Sequence, residues 1–215
     1  MINLHSHTLL SDGVLLPSEL AARYYAAGYK VLAITDHADY SNIEQVIRGQ
    51  RAFLQRWPKS HPLKILSGVE LTHLPPQQFK PLAAYCRKNK VQIIIAHGQT
   101  PVEPVAQGTN LAALEADIDI LAHPGLITPQ EASLAKKRGI LLEVTTRSGH
   151  SKTNKHVIKT ALKAGAQLCI NHDSHRPEDI LTPLQTVKAA VKAGLSSPQV
   201  ALIYRNVAGI LHQKA

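Results

Sequence analysis

Cysteine is nearly absent from this chain: Cys86 and Cys169 are the only two in 215 residues, set far apart in apolar or helical stretches. That spacing fits buried, reduced thiols in a reducing compartment better than a disulfide framework. Aromatic side chains make up 4% of the sequence, too few for the rows of stacking platforms that hold single-stranded nucleic acid. No apolar run approaches the length of a membrane span. Met1 leads directly into Ile2-Asn3-Leu4-His5, without the basic and apolar regions of a secretory leader. A soluble, cytoplasmic protein with no membrane partner is expected. Acidic residues are also scarce, 15 against 24 Lys and Arg, for a net charge of +9. Such a field favours an anionic partner, either a phosphorylated small molecule or a nucleic acid. The lysines are spread over helical stretches, so a solvated basic surface explains them equally well.

What the chain does have is 12 histidines and a regular alternation of patterns. At 215 residues and 44% apolar composition it can bury one sizeable core, as a single domain over residues 1–215. Apolar, β-branched runs at 2–5, 31–35, 64–70, 91–96, 118–122, 140–145 and 168–171 read as strands. Between and after them lie helical patterns at 17–28, 43–57, 78–90, 111–116, 129–139, 156–165, 178–194 and 198–211, several opened by Pro or closed by Gly. Near-continuous apolar strands separated by helices predict an α/β fold with a parallel sheet covered on both faces. Seven such units favour a closed barrel over an open sheet, with seven strands and not eight.

The ends of these strands carry the chemistry. His5-x-His7 with Asp12, then His37, Glu70, His97, His123 and Asp173-x-His175 each follow an apolar run, where a parallel barrel would gather them at its C-terminal mouth. Positions i and i+2 of a strand point the same way, so His5 and His7 can hold one ion together, and so can Asp173 and His175. Closure of the barrel would make the first and last strands neighbours. Glu70 has two oxygens and can bridge two ions, His97 and His123 supply imidazoles to a third position, and Asp12 and His37 complete a site beside His175. Mixed imidazole and carboxylate ligation suits Zn²⁺, Mn²⁺ or Fe²⁺. Such a cluster activates a water and clamps a phosphoryl oxygen, which suits hydrolysis of a phosphate ester. Asp36 alternates with His37 and is expected to orient a ligand. Glu143 reads equally as a ligand, as an acceptor behind one, or as a satisfied carboxylate. His61, His73, His150, His156, His172 and His212 lack ligand spacing, and a structural role is expected for most of them.

His5-Ser6-His7-Thr8 with Ser11-Asp12-Gly13, Ile34-Thr35-Asp36-His37, Gly68-Val69-Glu70, Ala96-His97, Ala122-His123-Pro124 and Asn171-His172-Asp173-Ser174-His175 together resemble the polymerase and histidinol phosphatase (PHP) superfamily, over nearly the whole chain. The resemblance implies a distorted seven-stranded (β/α) TIM-like barrel and two to three divalent transition metals per chain in a trinuclear centre. By that analogy His5, His7, Glu70 and Asp173 hold one ion. Asp12, His37 and His175 hold a second, and Glu70, His97 and His123 a third. Glu70 and Asp173 would carry the catalytic role as ligands of the ion that activates the water. The stretch between Glu70 and His97 has no room for the inserted lid-like domain of the nucleotide bisphosphatase branch.

The loop Thr146–Lys155 is basic, contains Gly149 and leads into a helix N-terminus at the mouth, a favourable place for an anion. Arg147 and Lys152 are expected to grip a substrate phosphate, with Ser148, His150 and Asn154 shaping the pocket; an ordinary solvated loop is the alternative. Two functional readings remain. One is a phosphatase acting on a small phosphomonoester, such as histidinol phosphate, a nucleotide or a sugar phosphate. The other is an RNA- or DNA-associated barrel, a nuclease or a binding subunit, that uses the basic surface. The complete ligand set and the scarcity of aromatics favour the enzyme.

Overall fold

The computed structural model describes residues 1–213. Eight strands, β1 (Ile2–Asn3), β2 (Val31–Ile34), β3 (His37–Ala38), β4 (Lys64–Leu71), β5 (Ile93–His97), β6 (Ile120–Ala122), β7 (Leu141–Thr145) and β8 (Leu168–Asn171), are all parallel. They follow the order β1-β2-β4-β5-β6-β7-β8, with β3 beside β4. Because β2 pairs with Lys64–Ser67 and β3 with Glu70–Leu71, both belong to one interrupted stave, and the barrel has the seven staves expected.

The interruption has a local cause. Thr35 N–H donates to the Ser6 carbonyl at 2.8 Å, Ser6 N–H donates to Thr35 Oγ1 at 3.0 Å, and Thr8 N–H donates to Asp36 Oδ1 at 2.6 Å. The chain beyond β1 is therefore tied to residues 35 and 36 partly by side chains, and the ladder pauses there. Across from the pause, Gly68 has no room for a side chain. A Cβ would lie 2.6 Å from Thr35 Cγ2 and 3.0 Å from the carbonyl oxygens of Ile34 and Ile93.

The seam between β1 and β8 closes the barrel with little regular ladder. A single bridge joins Ser6 and Ser174, with His7 N–H donating to the Ser174 carbonyl and Asp173 N–H to that of His5. Below it, Leu4 N–H donates to Asn171 Oδ1 and His172 N–H to Asn3 Oδ1, each at 2.9 Å. Two asparagine side chains thus stand in for backbone bonds across the first and last staves.

Helices α1 (Pro17–Ala26), α2 (Ile43–Leu54), α3 (Phe79–Lys88), α4 (Thr109–Glu115), α5 (Pro129–Arg138), α6 (Asn154–Ala164), α7 (Pro183–Lys192) and α8 (Ser197–Gln213) accompany the staves. Ile94, Ile95, Ile120, Leu121 and Leu142 are fully buried in the main core, and burying each contributes about 1.5–3 kcal/mol. A smaller core gathers Tyr24, Tyr29, Leu32, Ile34 and Leu63 beneath α1. Helix α7 starts at Pro183, later than the expected position 178. Thr182 accepts from Gln185 N–H while Gln185 reciprocates, a capping box with Pro at the first position. Upstream, Pro177–Asp179 forms a 3-10 turn in which Asp179 accepts from the N–H groups of His175 and Arg176.

Candidate metal centre

The chemistry collects at the C-terminal mouth, around a cavity of about 480 Å³ lined by Asp12, His37, His97, His123, Asp173 and His175 among others. A larger cavity, about 700 Å³, lies at the opposite end beneath α8. Its walls are aliphatic, and its charged rim includes Arg87, which is paired with Asp117 and Asp119. Among the described residues, the metal-ligating types converge only at the mouth.

The ring nitrogens show which atoms are free to bind. His5 Nδ1 lies 2.8 Å from Glu143 Oε1 and donates to that carboxylate. In the neutral ring Nε2 is then a bare lone pair, 3.2 Å from Glu70 Oε2 and 3.5 Å from Asp173 Oδ1. His7 Nε2 faces the same two carboxylates at 3.5 and 3.2 Å. His175 Nδ1 donates to the Asp173 carbonyl, which leaves its Nε2 facing Asp12 Oδ2 at 3.3 Å and His37 Nε2 at 3.4 Å. His97 Nδ1 donates to the Gly98 carbonyl. Glu70 spans the group, with Oε2 near His5, His7 and His37 and Oε1 3.5 Å from His123 Nε2.

All nine expected ligands fall into overlapping groups: His7, Asp12, His37 and His175; His5, His123 and Asp173; His5, His7 and Glu70; and Glu70, His97 and His123. Within each group the ligand atoms lie within 4.8 Å of one another. His5 Nε2, both His7 nitrogens, both Glu70 oxygens and His123 Nδ1 are buried without a hydrogen bond. Orphaned imidazole and carboxylate lone pairs facing one another are costly, and cations placed among them would satisfy them. The residues therefore fit a cluster of divalent ions.

The electrostatics of the centre show the same tension. Burial alone would raise the Glu70 carboxyl, but the charges of His5 and His37 outweigh it and hold it well below the usual range. Burial keeps Asp173 above its ordinary value and drives His7 well below that of a free imidazole. At Asp12 burial also pushes upward, yet the His175 hydrogen bond and the charges of His37 and His175 bring it down to about 2. Two of the grouped residues sit on strained backbone, His123 with φ 27° and Asp173 with φ 52°. Non-glycine residues in this region cost on the order of 1–3 kcal/mol and persist where their surroundings over-determine them.

The remaining candidates are distributed unevenly. Glu143 accepts from His5 Nδ1, His123 N–H and Asn171 Nδ2, so it stands behind His5. Asp36, expected to orient a ligand, contacts no imidazole. It accepts from Thr8, Ser11 and Gln50 and so holds the turn that carries Asp12. Arg147 and His150 line the mouth; Lys152, Ser148 and Asn154 do not. Lys152 is exposed on a 3-10 turn, and Asn154 Nδ2 is spent on the Thr145 carbonyl. Arg147 Nη1 bonds the Asp173 carbonyl and Asp179 Oδ2. Sequence reasoning missed Glu103, whose carboxylate meets His97, His73 and His150. It lies in an irregular loop six positions past His97, where neither periodicity nor strand-end placement marks it.

Residues 3–150 match the PHP domain. The chain is 38% identical over 198 residues to an uncharacterized protein of Methanocaldococcus jannaschii, with 91% of each chain covered. It is 25% identical to the DNA polymerase/3'-5' exonuclease PolX of Bacillus subtilis, covering 95% of this chain but 39% of that protein. Among solved structures, a chain of an archaeal ribonuclease P with mature tRNA matches with TM-score 0.72 at 18% identity, covering 100% of this chain and 91% of that one. Histidinol phosphate phosphatase from Lactococcus lactis, complexed with zinc, L-histidinol and phosphate, matches with TM-score 0.64 at 15% identity over 91% of this chain and 94% of that one. These two likenesses are of fold.

Proposed function

The chain belongs to the PHP domain family, and from that membership we propose that it is a metal-dependent phosphoesterase hydrolysing a small phosphomonoester with two to three divalent ions. The observation that carries this reading is the buried meeting of bare imidazole nitrogens with both oxygens of Glu70, drawn from loops and strands all round the barrel. We assign one ion to His5, His7, Glu70 and Asp173, a second to Asp12, His37 and His175, and a third to Glu70, His97 and His123. Zn²⁺, Mn²⁺ and Fe²⁺ all suit this donor set. When bound, such ions supply Lewis acidity toward a phosphoryl oxygen and a nucleophilic water at neutral pH.

The chain's own groups do the rest. Glu143 holds His5 so that Nε2 faces the centre. Arg147 is fixed through Nη1, and its Nη2 makes no hydrogen bond among the described residues, leaving a donor for the substrate phosphate. The cavity is of a size for a phosphomonoester with a modest leaving group. The free, buried cysteines fit a reducing compartment, and the cytoplasm is the proposed location.

The test is a screen of metal-loaded protein against p-nitrophenyl phosphate, histidinol phosphate, nucleoside monophosphates and sugar phosphates. Glu70→Ala and Asp173→Ala should abolish turnover while circular dichroism stays unchanged. Arg147→Ala should raise KM by roughly tenfold with metal content constant, the loss of about one charge-assisted hydrogen bond. Near-native turnover by Glu70→Ala on the best substrate would sink the reading.

The net charge of +9 and the PolX relative favour a second reading, a barrel that acts on or binds nucleic acid. It predicts cleavage of oligonucleotides in preference to monoesters, or RNA binding whose affinity falls steeply with salt.

A further inference from the structure

The loop after β5 carries Glu103 into the mouth, where three imidazoles meet its carboxylate. His97 Nε2 lies 2.9 Å and His73 Nε2 3.3 Å from Oε2, and His150 Nε2 lies 3.2 Å from Oε1. The proton on each ring decides what these contacts mean. The Gly98 carbonyl can only accept, so His97 Nδ1, 3.1 Å away, is the donor, and Nε2 of the neutral ring is a bare lone pair. That lone pair points at a carboxylate oxygen. His97 is only 3% exposed, so charging the ring to relieve the clash costs desolvation, whereas a cation shared by nitrogen and oxygen relieves it directly.

His150 behaves differently. Its Nδ1 lies 2.8 Å from the Thr100 hydroxyl, which can donate to it, freeing Nε2–H to donate to Glu103 Oε1. The ring is stacked on His123 with centroids 4.3 Å apart, so the donor that steers Oε1 is itself held by one of the assigned ligands. One oxygen of Glu103 is oriented by a hydrogen bond while the other is offered to the centre.

We propose that Glu103 is a fourth protein ligand, through Oε2, of the ion assigned to Glu70, His97 and His123. The Oε2 to Nε2 separation of 2.9 Å is near that of two neighbouring ligands on one small cation; Oε2 groups with His97 and His73 rather than with Glu70 and His123, so the carboxylate reaches this ion from the His97 side. This inference rests on the metal-dependent reading above. Its consequence concerns the character of that ion: with Glu70, His97, His123 and Glu103 it would have as many protein ligands as the ion assigned to His5, His7, Glu70 and Asp173, and one more than the ion assigned to Asp12, His37 and His175. That ion would then anchor the loop between β5 and α4. His73, 44% side-chain exposed, backs the carboxylate from the solvent side.

The experiment compares wild type, Glu103→Gln and Glu103→Asp, each loaded with Zn²⁺ or Mn²⁺ and freed of excess metal. Elemental analysis gives ions per chain, and competition with a chromogenic chelator gives the release rate of each. Glu103 lies on a partly exposed loop, so the variants should fold, and circular dichroism checks that. Glu103→Gln should lose one ion, or release it at least tenfold faster, with the remaining ions unaffected. Glu103→Asp should fall between it and wild type. Equal stoichiometry and release within twofold in Glu103→Gln would overturn the assignment of Glu103 alone. A wild-type chain that binds no divalent ion would overturn the metal-dependent reading as well.

Discussion

Glu143 shows how little separates a ligand from the residue behind it. It is buried on β7 and satisfies the same pattern of a carboxylate near the end of an apolar strand as Glu70 on β4. What distinguishes it is its partner atoms, a ring N–H, a backbone N–H and an amide, all of them donors, so no lone pair faces it across a gap. Glu143→Gln keeps the shape and removes the charge that holds His5 in its tautomer. Metal affinity should fall by about 10–100-fold with the fold intact, as measured by chelator competition. An unchanged affinity would mean that His5 does not depend on this carboxylate. The nine grouped residues were legible as candidate ligands because each falls at a repeating place in the chain, and the barrel gathers them at its mouth. The partner atoms of Glu143 were not legible, since a sequence records which residues are present but not which nitrogen carries a proton. Glu103 was hidden for a related reason: loop geometry brings it back over His97, and no periodicity describes a loop.

At the scale of elements, the alternation of strand and helix was readable because parallel staves buried on both faces are nearly uniformly apolar. The departures come where a side chain replaces a backbone partner. The second stave breaks at Thr35 because Ser6, Thr8 and the Thr35 and Asp36 side chains take over its bonding, and α7 begins late because Asp179 is drawn into His175 and Arg176. Both effects are long-range or depend on caps, and apolar periodicity carries no trace of them. The seam offers a test at this scale. Asn171→Ala removes the acceptor for Leu4 N–H and a donor to Glu143. Leaving buried groups unpaired costs about 1–3 kcal/mol each, so with two such groups denaturant unfolding should show a loss of about 2–6 kcal/mol. Amide exchange should quicken mainly in β1 and β8. Equal acceleration in β5 and β6 would show that the asparagines do not hold the seam in particular.

For the molecule as a whole, the centre joins loops and strands from around the barrel, so ion binding and folding are coupled. An ion present at 100 times its dissociation constant adds about 2.7 kcal/mol to stability. For a domain of this size that corresponds to roughly 5–10 °C in Tm. Chelation of all the ions should lower the melting temperature by at least that amount, and restoring Zn²⁺ or Mn²⁺ should return it. Superimposable melting curves with and without chelator would mean that the cluster is not held by metal. Among the described residues no helix is long and apolar enough to cross a membrane.

The seam also dictates an order of events. Leu4 and Asn171, joined by a hydrogen bond, are separated by 167 positions, so β1, paired with β2 on one side, has to wait for nearly the entire chain before its other neighbour, β8, exists. Closing so long a loop is entropically the most expensive step of assembly and belongs near its end. His5 and His7 stand on one side of that last junction, Asp173 and His175 on the other. During synthesis, a ribosome-bound fragment ending before residue 173 can form most of the staves and still have no complete site. The proposed ion site of His5, His7, Glu70 and Asp173 is therefore complete only once the last stave has arrived.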